Sequence, residues 1–228
     1  KKRAFIFMER AYNFAKANRA LGLGVLGYHS LLQSKSVAFE SDEAIKINEE
    51  VFKLIKEKAD AATKELGKEL GEPEVLKGYG RRNTTTLAIA PTTSSAFILG
   101  QVSQGIEPIW SNCYVKDVAK MKVTIKNPTL KLLLAEKGKD DKVTWDSIRD
   151  NDGSVQHLDF LDDAEKATFR TFAEIDQNKI IEQAGVRQKY IDQGQSLNVM
   201  VDPDTPVKDI NALYIQAWKQ GVKALYYQ

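Results

Sequence analysis

One cysteine, Cys113, and two histidines, His29 and His157, are all that the 228 residues offer of the side chains that most often bind metals or cross-link chains. A lone cysteine excludes an internal disulfide framework and a cysteine-based metal site, and it fits a reducing compartment. Two histidines are too few for a histidine-rich metal site. Long apolar runs are missing as well. The stretch from Leu21 to Leu32 is too short for a bilayer, is broken by Gly22, Gly24 and Gly27, and follows no signal-peptide layout, so no membrane association and a cytoplasmic location are expected. Neither sign of charge dominates: Lys and Arg number 33 against 31 Asp and Glu, which leaves no basic footprint for nucleic acid as a direct partner. The chain starts at Lys1 and stops inside an apolar, β-prone run, Ala224 to Tyr227, so both ends are expected to be cut from something longer.

What is present has the composition of an α/β domain with enough apolar side chains to bury a core. The most informative stretch is Thr84 to Ser95, TTTLAIAPTTSS. Thr84 to Ala90 is short and apolar behind the polar Arg81-Arg82-Asn83, the pattern of a parallel strand buried on both faces. Pro91 has no N–H to donate and should end it. Thr92, Thr93, Ser94 and Ser95 then fall where a helix begins, offering unpaired backbone N–H groups and hydroxyls, with Gly100 closing the helix. Such a corner can hold a phosphate at the positive end of the helix dipole without any lysine. It can equally be a hydroxyl-rich cap that binds nothing.

Around this corner the chain alternates helices and β-prone runs. Ala4 to Arg19 carries a helical stripe at Phe5, Met8, Ala11, Tyr12 and Ala15. The following GLGVLG lacks the strand before it and the acidic residue after it that a dinucleotide site needs, so its glycines are assigned to close backbone packing. Ser41 caps the longest helix, whose apolar face is expected at Ala44, Ile47, Val51, Leu54, Ile55, Ala62 and Leu66. Glu107 could be a catalytic carboxylate, but beside Pro108 it better suits a turn or a substrate-orienting residue, and Cys113 suits a small buried side chain. Asn127-Pro128 starts a helix that Gly138 ends. Lys139 to Gly153 is expected as a charged surface excursion anchored by Trp145. Phe169 to Tyr190 should form two helical segments around Asn178, and Ser196 to Val201 a strand. Thr205 as cap, Pro206 at the first helical position, a stripe ending at Gly221 and the β-prone Val222 to Tyr227 complete a βαβ unit with parallel strands.

Several pieces recur in an order that resembles the C-terminal half of the catalytic (large, α) subunit of class I ribonucleotide reductases. They are Gly22-Leu23-Gly24-Val25, Arg82-Asn83-Thr84, Ala90-Pro91-Thr92-Thr93-Ser94-Ser95, Gly105-Ile106-Glu107-Pro108, Ser111-Asn112 with Tyr114, Glu174-Ile175-Asp176-Gln177, Arg187-Gln188, Gln193-Gly194-Gln195-Ser196-Leu197-Asn198, and Gly221-Val222-Lys223-Ala224-Leu225-Tyr226-Tyr227. The segment between Ser95 and Gly105 is a residue longer than is usual, so the helix after the hydroxyl corner is expected to start or bulge differently.

The resemblance implies an α/β fold, the C-terminal half of a ten-stranded α/β barrel, with residues 1–228 forming the C-terminal portion of the catalytic barrel domain. It implies that Pro91, Thr92, Thr93, Ser94 and Ser95 hold the diphosphate of a ribonucleoside diphosphate. Tyr226 and Tyr227 would relay an oxidising equivalent from a small (beta), metal-containing subunit, so that this chain itself binds no metal or cofactor. A phenol with a pKa near ~10 keeps its proton at neutral pH and can lose proton and electron together. Without the resemblance, the tyrosine pair reads as an aromatic strand end. The family's thiyl-forming cysteine, its reducing cysteine pair and its assisting Glu and Asn would belong to the missing N-terminal half of the barrel. Thioredoxin or glutaredoxin would reduce the full enzyme, and the isolated chain is expected to be inactive. Two alternatives stay open: a cobalamin-dependent reductase of the same superfamily, which the tyrosine pair disfavours, and a non-catalytic half-barrel module that complements a separately encoded N-terminal half.

Overall fold

The computed structural model describes residues 7–118 and 121–227; of Val118, Met121, Tyr226 and Tyr227 it describes the backbone, not the side chains. Four extended segments lie side by side and run parallel. Leu23 bridges Leu87, Ile89 bridges Gln195, and strand β3 (Asn198–Val199) pairs with β4 (Tyr226–Tyr227); the strand labels follow chain order, with β1 and β2 given below. The ladder between the first three segments is short, with Leu23 N–H donating to Thr86 at 2.7 Å, Ala88 N–H to Leu23 at 3.0 Å and Ser196 N–H to Ile89 at 2.9 Å. Glycine is required where the first two segments meet. A Cβ on Gly24 would stand 2.5 Å from the Ala88 carbonyl oxygen, closer than any real contact, so the expected close backbone packing is what the glycine run serves.

The expected strand at Thr84 to Ala90 is therefore shorter than its apolar pattern. Bridges form only at Leu87 and Ile89, and these two side chains are buried while Ala90 is exposed. Successive residues of a strand face opposite ways, and here one face meets the core while the other is only partly covered.

Nine α-helices lie among the described residues. They are α1 (Glu9–Asn18), α2 (Tyr28–Ser34), α3 (Asp42–Leu70), α4 (Thr93–Ile98), α5 (Pro128–Glu136), α6 (Lys142–Asp150), α7 (Asp163–Thr168), α8 (Gln177–Gln188) and α9 (Val207–Lys219). Ser41 caps α3 by accepting from Ala44 N–H, and Asn127 caps α5 by accepting from Thr129 and Leu130. The apolar face of α3 is largely the expected one: Ala44 is buried and Ile47, Val51 and Ile55 pack against the core, joined by buried Phe52, Asn48 and Thr63, whereas Leu54 is 55% exposed. Asn48 is buried on this face through a bond to α8, its Nδ2 donating to the Gln183 carbonyl at 2.9 Å. Phe5, from the expected stripe of α1, lies outside the described residues, and the remainder of α1 has no buried side chain.

Two local expectations are corrected. The charged stretch after Lys139 is not an irregular excursion. Asp141 accepts from Thr144 N–H at 2.8 Å and starts α6, which turns Trp145 and Ile148 into a second core with Leu130, Leu134, Val155 and Cys113. Its charges fall on the outer side of an amphipathic helix, the arrangement that a charge count alone mistakes for a loop. In α9, Pro206 rather than Thr205 is the cap and no side chain bonds the first turn. Chain segment 113–126 adds an antiparallel hairpin, β1 (Cys113–Val118) with β2 (Met121–Lys126), in register Cys113 to Lys126. Cys113 is buried as expected, and burial pushes its thiol pKa up. Among the described residues no helix is long and apolar enough to cross a membrane.

Candidate functional site

Pro91 ends the central segment, and Thr92 turns the chain. Thr92 has φ 54° and ψ 26°, a left-handed conformation that few non-glycine residues adopt. The turn starts α4 with Thr93, Ser94 and Ser95 exposed in its first turn, where backbone N–H groups have no partner within the helix. The hydroxyls are not equivalent. Thr92 Oγ1 accepts from Gly105 N–H at 2.9 Å, and Thr93 Oγ1 donates to Gln104 Oε1 at 2.9 Å, so these two brace the corner against the returning loop. Ser94 and Ser95 make no side-chain hydrogen bond with other described residues. Gly100, at φ 97°, lies just past the helix end, as expected.

The corner opens on a cavity of about 560 Å³ lined by Pro91, Thr93, Gln104, Glu107, Trp110, Ser196 and Asn198. Glu107 is 7% exposed. Its Oε1 accepts from Asn198 N–H at 2.7 Å and from Asn198 Nδ2 at 2.9 Å, and burial raises its pKa against the pull of these bonds and of Arg187. Asn198 is also the β3 residue that pairs with Tyr226. One strand therefore lines the cavity and carries the backbone of the tyrosine pair beside it; the tyrosine side chains lie outside the described residues.

Arg187 is fully buried and, among the described residues, makes no ion pair. Its Nε donates to Gln195 Oε1 at 2.7 Å, one terminal nitrogen to Asn48 Oδ1 at 2.9 Å, and its guanidinium lies 5.6 Å from the Tyr28 ring centroid and 5.9 Å from that of Phe52. Burial brings its pKa down to about 10, which leaves it charged at neutral pH. Neutral amides and aromatic faces thus hold a buried cation.

Asp192 fixes the start of the central segment. Its Oδ2 accepts from Thr86 N–H at 2.6 Å, Thr86 Oγ1 at 2.7 Å and Leu87 N–H at 3.0 Å, and Lys56 Nζ sits 3.0 Å from Oδ1. Partial burial pushes its pKa up, yet the bonds from Thr86 and Leu87 and the Lys56 ammonium outweigh this and hold the carboxyl well below the usual range. A carboxyl with a depressed folded-state pKa contributes stability above its unfolded value, lost as pH falls from about 4 through the folded value. Asp192→Ala should lower stability at neutral pH by roughly 3 kcal/mol, because two strand N–H groups lose their acceptor. A urea midpoint that does not move at unchanged slope would refute the clamp.

Of the residues expected at the site, Pro91 and Thr93 line the cavity, Thr92 shapes its corner, and Ser94 and Ser95 present their hydroxyls at the helix start. Gln104, Trp110, Ser196, Arg187 and Asp192 were not legible as site residues. Asp192 and Arg187 have partners far away in sequence, 106 positions for Asp192 and Thr86 and 139 for Arg187 and Asn48, and no local spacing reports such a pairing. Among the described residues no group of three or more His, Cys, Asp and Glu side chains could hold a metal ion.

The sequence pattern of the ribonucleotide reductase barrel domain matches residues 3–75 and 73–228. The chain belongs to the ribonucleotide reductase barrel-domain family. It is similar to the ribonucleoside-diphosphate reductase large subunit of Invertebrate iridescent virus 6, at 42% identity over 96% of this chain and 23% of that protein. The counterpart from Invertebrate iridescent virus 3 is 40% identical over 96% of this chain and 35% of its own length. Among solved structures, the Actinobacillus ureae class Id ribonucleotide reductase alpha subunit superposes with a TM-score of 0.90 at 53% identity, over 98% of this chain and 42% of that one. The chain thus spans less than half the length of each of these reductase subunits. Its parallel segments and packed helices are part of the reductase α/β barrel, as the resemblance in the sequence implied.

Proposed function

We propose that this chain is the part of a ribonucleoside-diphosphate reductase large subunit that holds the substrate's diphosphate and passes the oxidising equivalent inward. Pro91 to Ser95 receive the diphosphate: the N–H groups of Thr93, Ser94 and Ser95 and the hydroxyls of Ser94 and Ser95 donate to its oxygens, while Thr92 and Thr93 hold the turn through Gly105 and Gln104. Tyr226 and Tyr227 relay the equivalent, each phenol giving up a proton and an electron together and regaining both when the next group is oxidised. A small, metal-containing subunit supplies that equivalent, the N-terminal half of the barrel supplies the reacting cysteines, and thioredoxin or glutaredoxin restores them, in the cytoplasm.

The observation that carries the phosphate reading is the left-handed turn at Thr92, braced by one hydrogen bond to Thr92 and one from Thr93 and opening three exposed hydroxyl residues beside a cavity. A tight turn whose strain is held by its surroundings is a common feature of ligand sites. Crystals soaked in pyrophosphate should show the anion within hydrogen-bonding distance of the Thr93 to Ser95 N–H groups. An empty corner at millimolar pyrophosphate, or an anion bound elsewhere in the cavity, would remove the role from these residues.

A further inference from the structure

Glu107 has an oxygen that the fold does not use. Both bonds from Asn198 end on Oε1. A carboxylate has about four acceptor sites, yet Oε2 makes no hydrogen bond to any described residue. This carboxyl is more than nine-tenths buried, and it lines the same cavity as Thr93 of the hydroxyl corner. Its orientation is set from both sides, by Asn198 on β3 and by the loop after Gly105, where His29 Nδ1 accepts from Ile109 N–H at 3.0 Å. An acceptor held rigidly in the wall of a cavity, with one oxygen bonded and the other without a bond to any described residue, is suited to meet a donor on whatever enters.

We propose that Glu107 is a specificity-determining residue that accepts a hydrogen bond from a hydroxyl or N–H group on the nucleoside end of the ligand whose phosphate rests at the corner. The inference rests on the phosphate reading of Thr93 to Ser95. The cavity would then be read at two points: an anion site that any diphosphate satisfies, and an acceptor that only a nucleoside or sugar donor satisfies. Burial raises the Glu107 pKa, and the bonds from Asn198 and the charge of Arg187 pull in the opposite direction. Selectivity follows from the cost of burial. A carboxylate oxygen enclosed by a ligand that offers no donor loses water without compensation.

The test is equilibrium binding of inorganic pyrophosphate, ribose 5-phosphate and cytidine diphosphate to the intact polypeptide that carries these residues, compared between the unmodified protein, Glu107→Gln and Thr93→Val. Glu107→Gln keeps an oxygen for Asn198 and replaces the free oxygen by an N–H donor. It should weaken cytidine diphosphate about tenfold, the size of one hydrogen bond to a charged group, and leave pyrophosphate within about twofold. Thr93→Val should weaken both, because it disturbs the corner. Ribose 5-phosphate separates the donors: a loss parallel to that of cytidine diphosphate assigns the sugar hydroxyls, and an unchanged affinity assigns the base. Equal changes for pyrophosphate and cytidine diphosphate in Glu107→Gln, or no change for either, would overturn the proposal and leave the phosphate reading standing. Absence of pyrophosphate and cytidine diphosphate binding in the unmodified protein would overturn both.

Discussion

Replacing Tyr226 or Tyr227 by phenylalanine is expected to reduce turnover of the reconstituted reductase to background while leaving the fold intact. A phenyl ring has no proton to release with its electron, so an oxidising equivalent arriving at Tyr227 could not pass through Tyr226 by proton-coupled transfer. The structural cost is small. Only a hydroxyl is lost, with a net worth of about 1 kcal/mol where it is hydrogen-bonded, and the β3 to β4 pairing of Asn198 with Tyr226 and Val199 with Tyr227 runs through backbone groups that the substitution leaves in place. Turnover and the denaturation midpoint, measured on both variants, separate the two roles. A variant that retains most of its turnover but loses stability would return that tyrosine to the status of a strand residue, and would reopen the cobalamin-dependent class as an alternative.

Mild acid is expected to destabilise the protein through one side chain, His29. It is fully buried at the start of α2, edge-on to Phe39 at 5.4 Å between ring centroids, and its Nδ1 accepts from Ile109 N–H. Burial pushes its pKa down to about 3, against the opposing pull of the Thr168 carbonyl. The unfolded chain takes up a proton near pH 6.5 while the folded one resists until about pH 3. Stability is therefore complete above pH 6.5 and falls as pH drops through that window, by about 1.4 kcal/mol per pH unit. Between pH 7.5 and pH 5 the loss should be on the order of 2 kcal/mol, read as a falling urea midpoint. His29→Gln should flatten the pH dependence above pH 5, even if the variant is less stable overall. A slope in that variant equal to the unmodified one would clear His29 of the effect. The contribution of Asp192 falls below about pH 4 and does not overlap the upper part of the window.

Much of the architecture was legible because it is local. Ser41 and Asn127 announce their helices by side chains that bond the first turn, Gly100 and Gly138 mark helix ends with positive φ, and the order of elements from Ser196 to Tyr227 contains a parallel β-α-β unit. The corner at Pro91 was legible for the same reason, since a missing N–H and a run of hydroxyls act on the residues next to them. Misreadings arose where a local pattern competes with a tertiary partner. The apolar stripe of α3 held at Ala44, Ile47, Val51 and Ile55 but not at Leu54, while Asn48, polar in sequence, is buried by its bond to the Gln183 carbonyl of α8. Lys139 to Gly153 looked like a loop because its charges outnumber its apolar residues, although Trp145 and Ile148 suffice to seat a helix.

The sequence by itself determined the class of the fold, the place of the hydroxyl corner and the family, because caps, strand breakers and motif order are properties of neighbouring residues. Only the tertiary structure decided which side chains share the cavity. Thr93 and Gln104 are 11 positions apart, Glu107 and Asn198 91, and Thr86 and Asp192 106. It also decided which hydroxyls are already engaged and which carboxylate oxygen remains unpaired. Those outcomes depend on directional bonds between distant segments, and a hydrogen bond leaves no periodic trace in the chain that makes it.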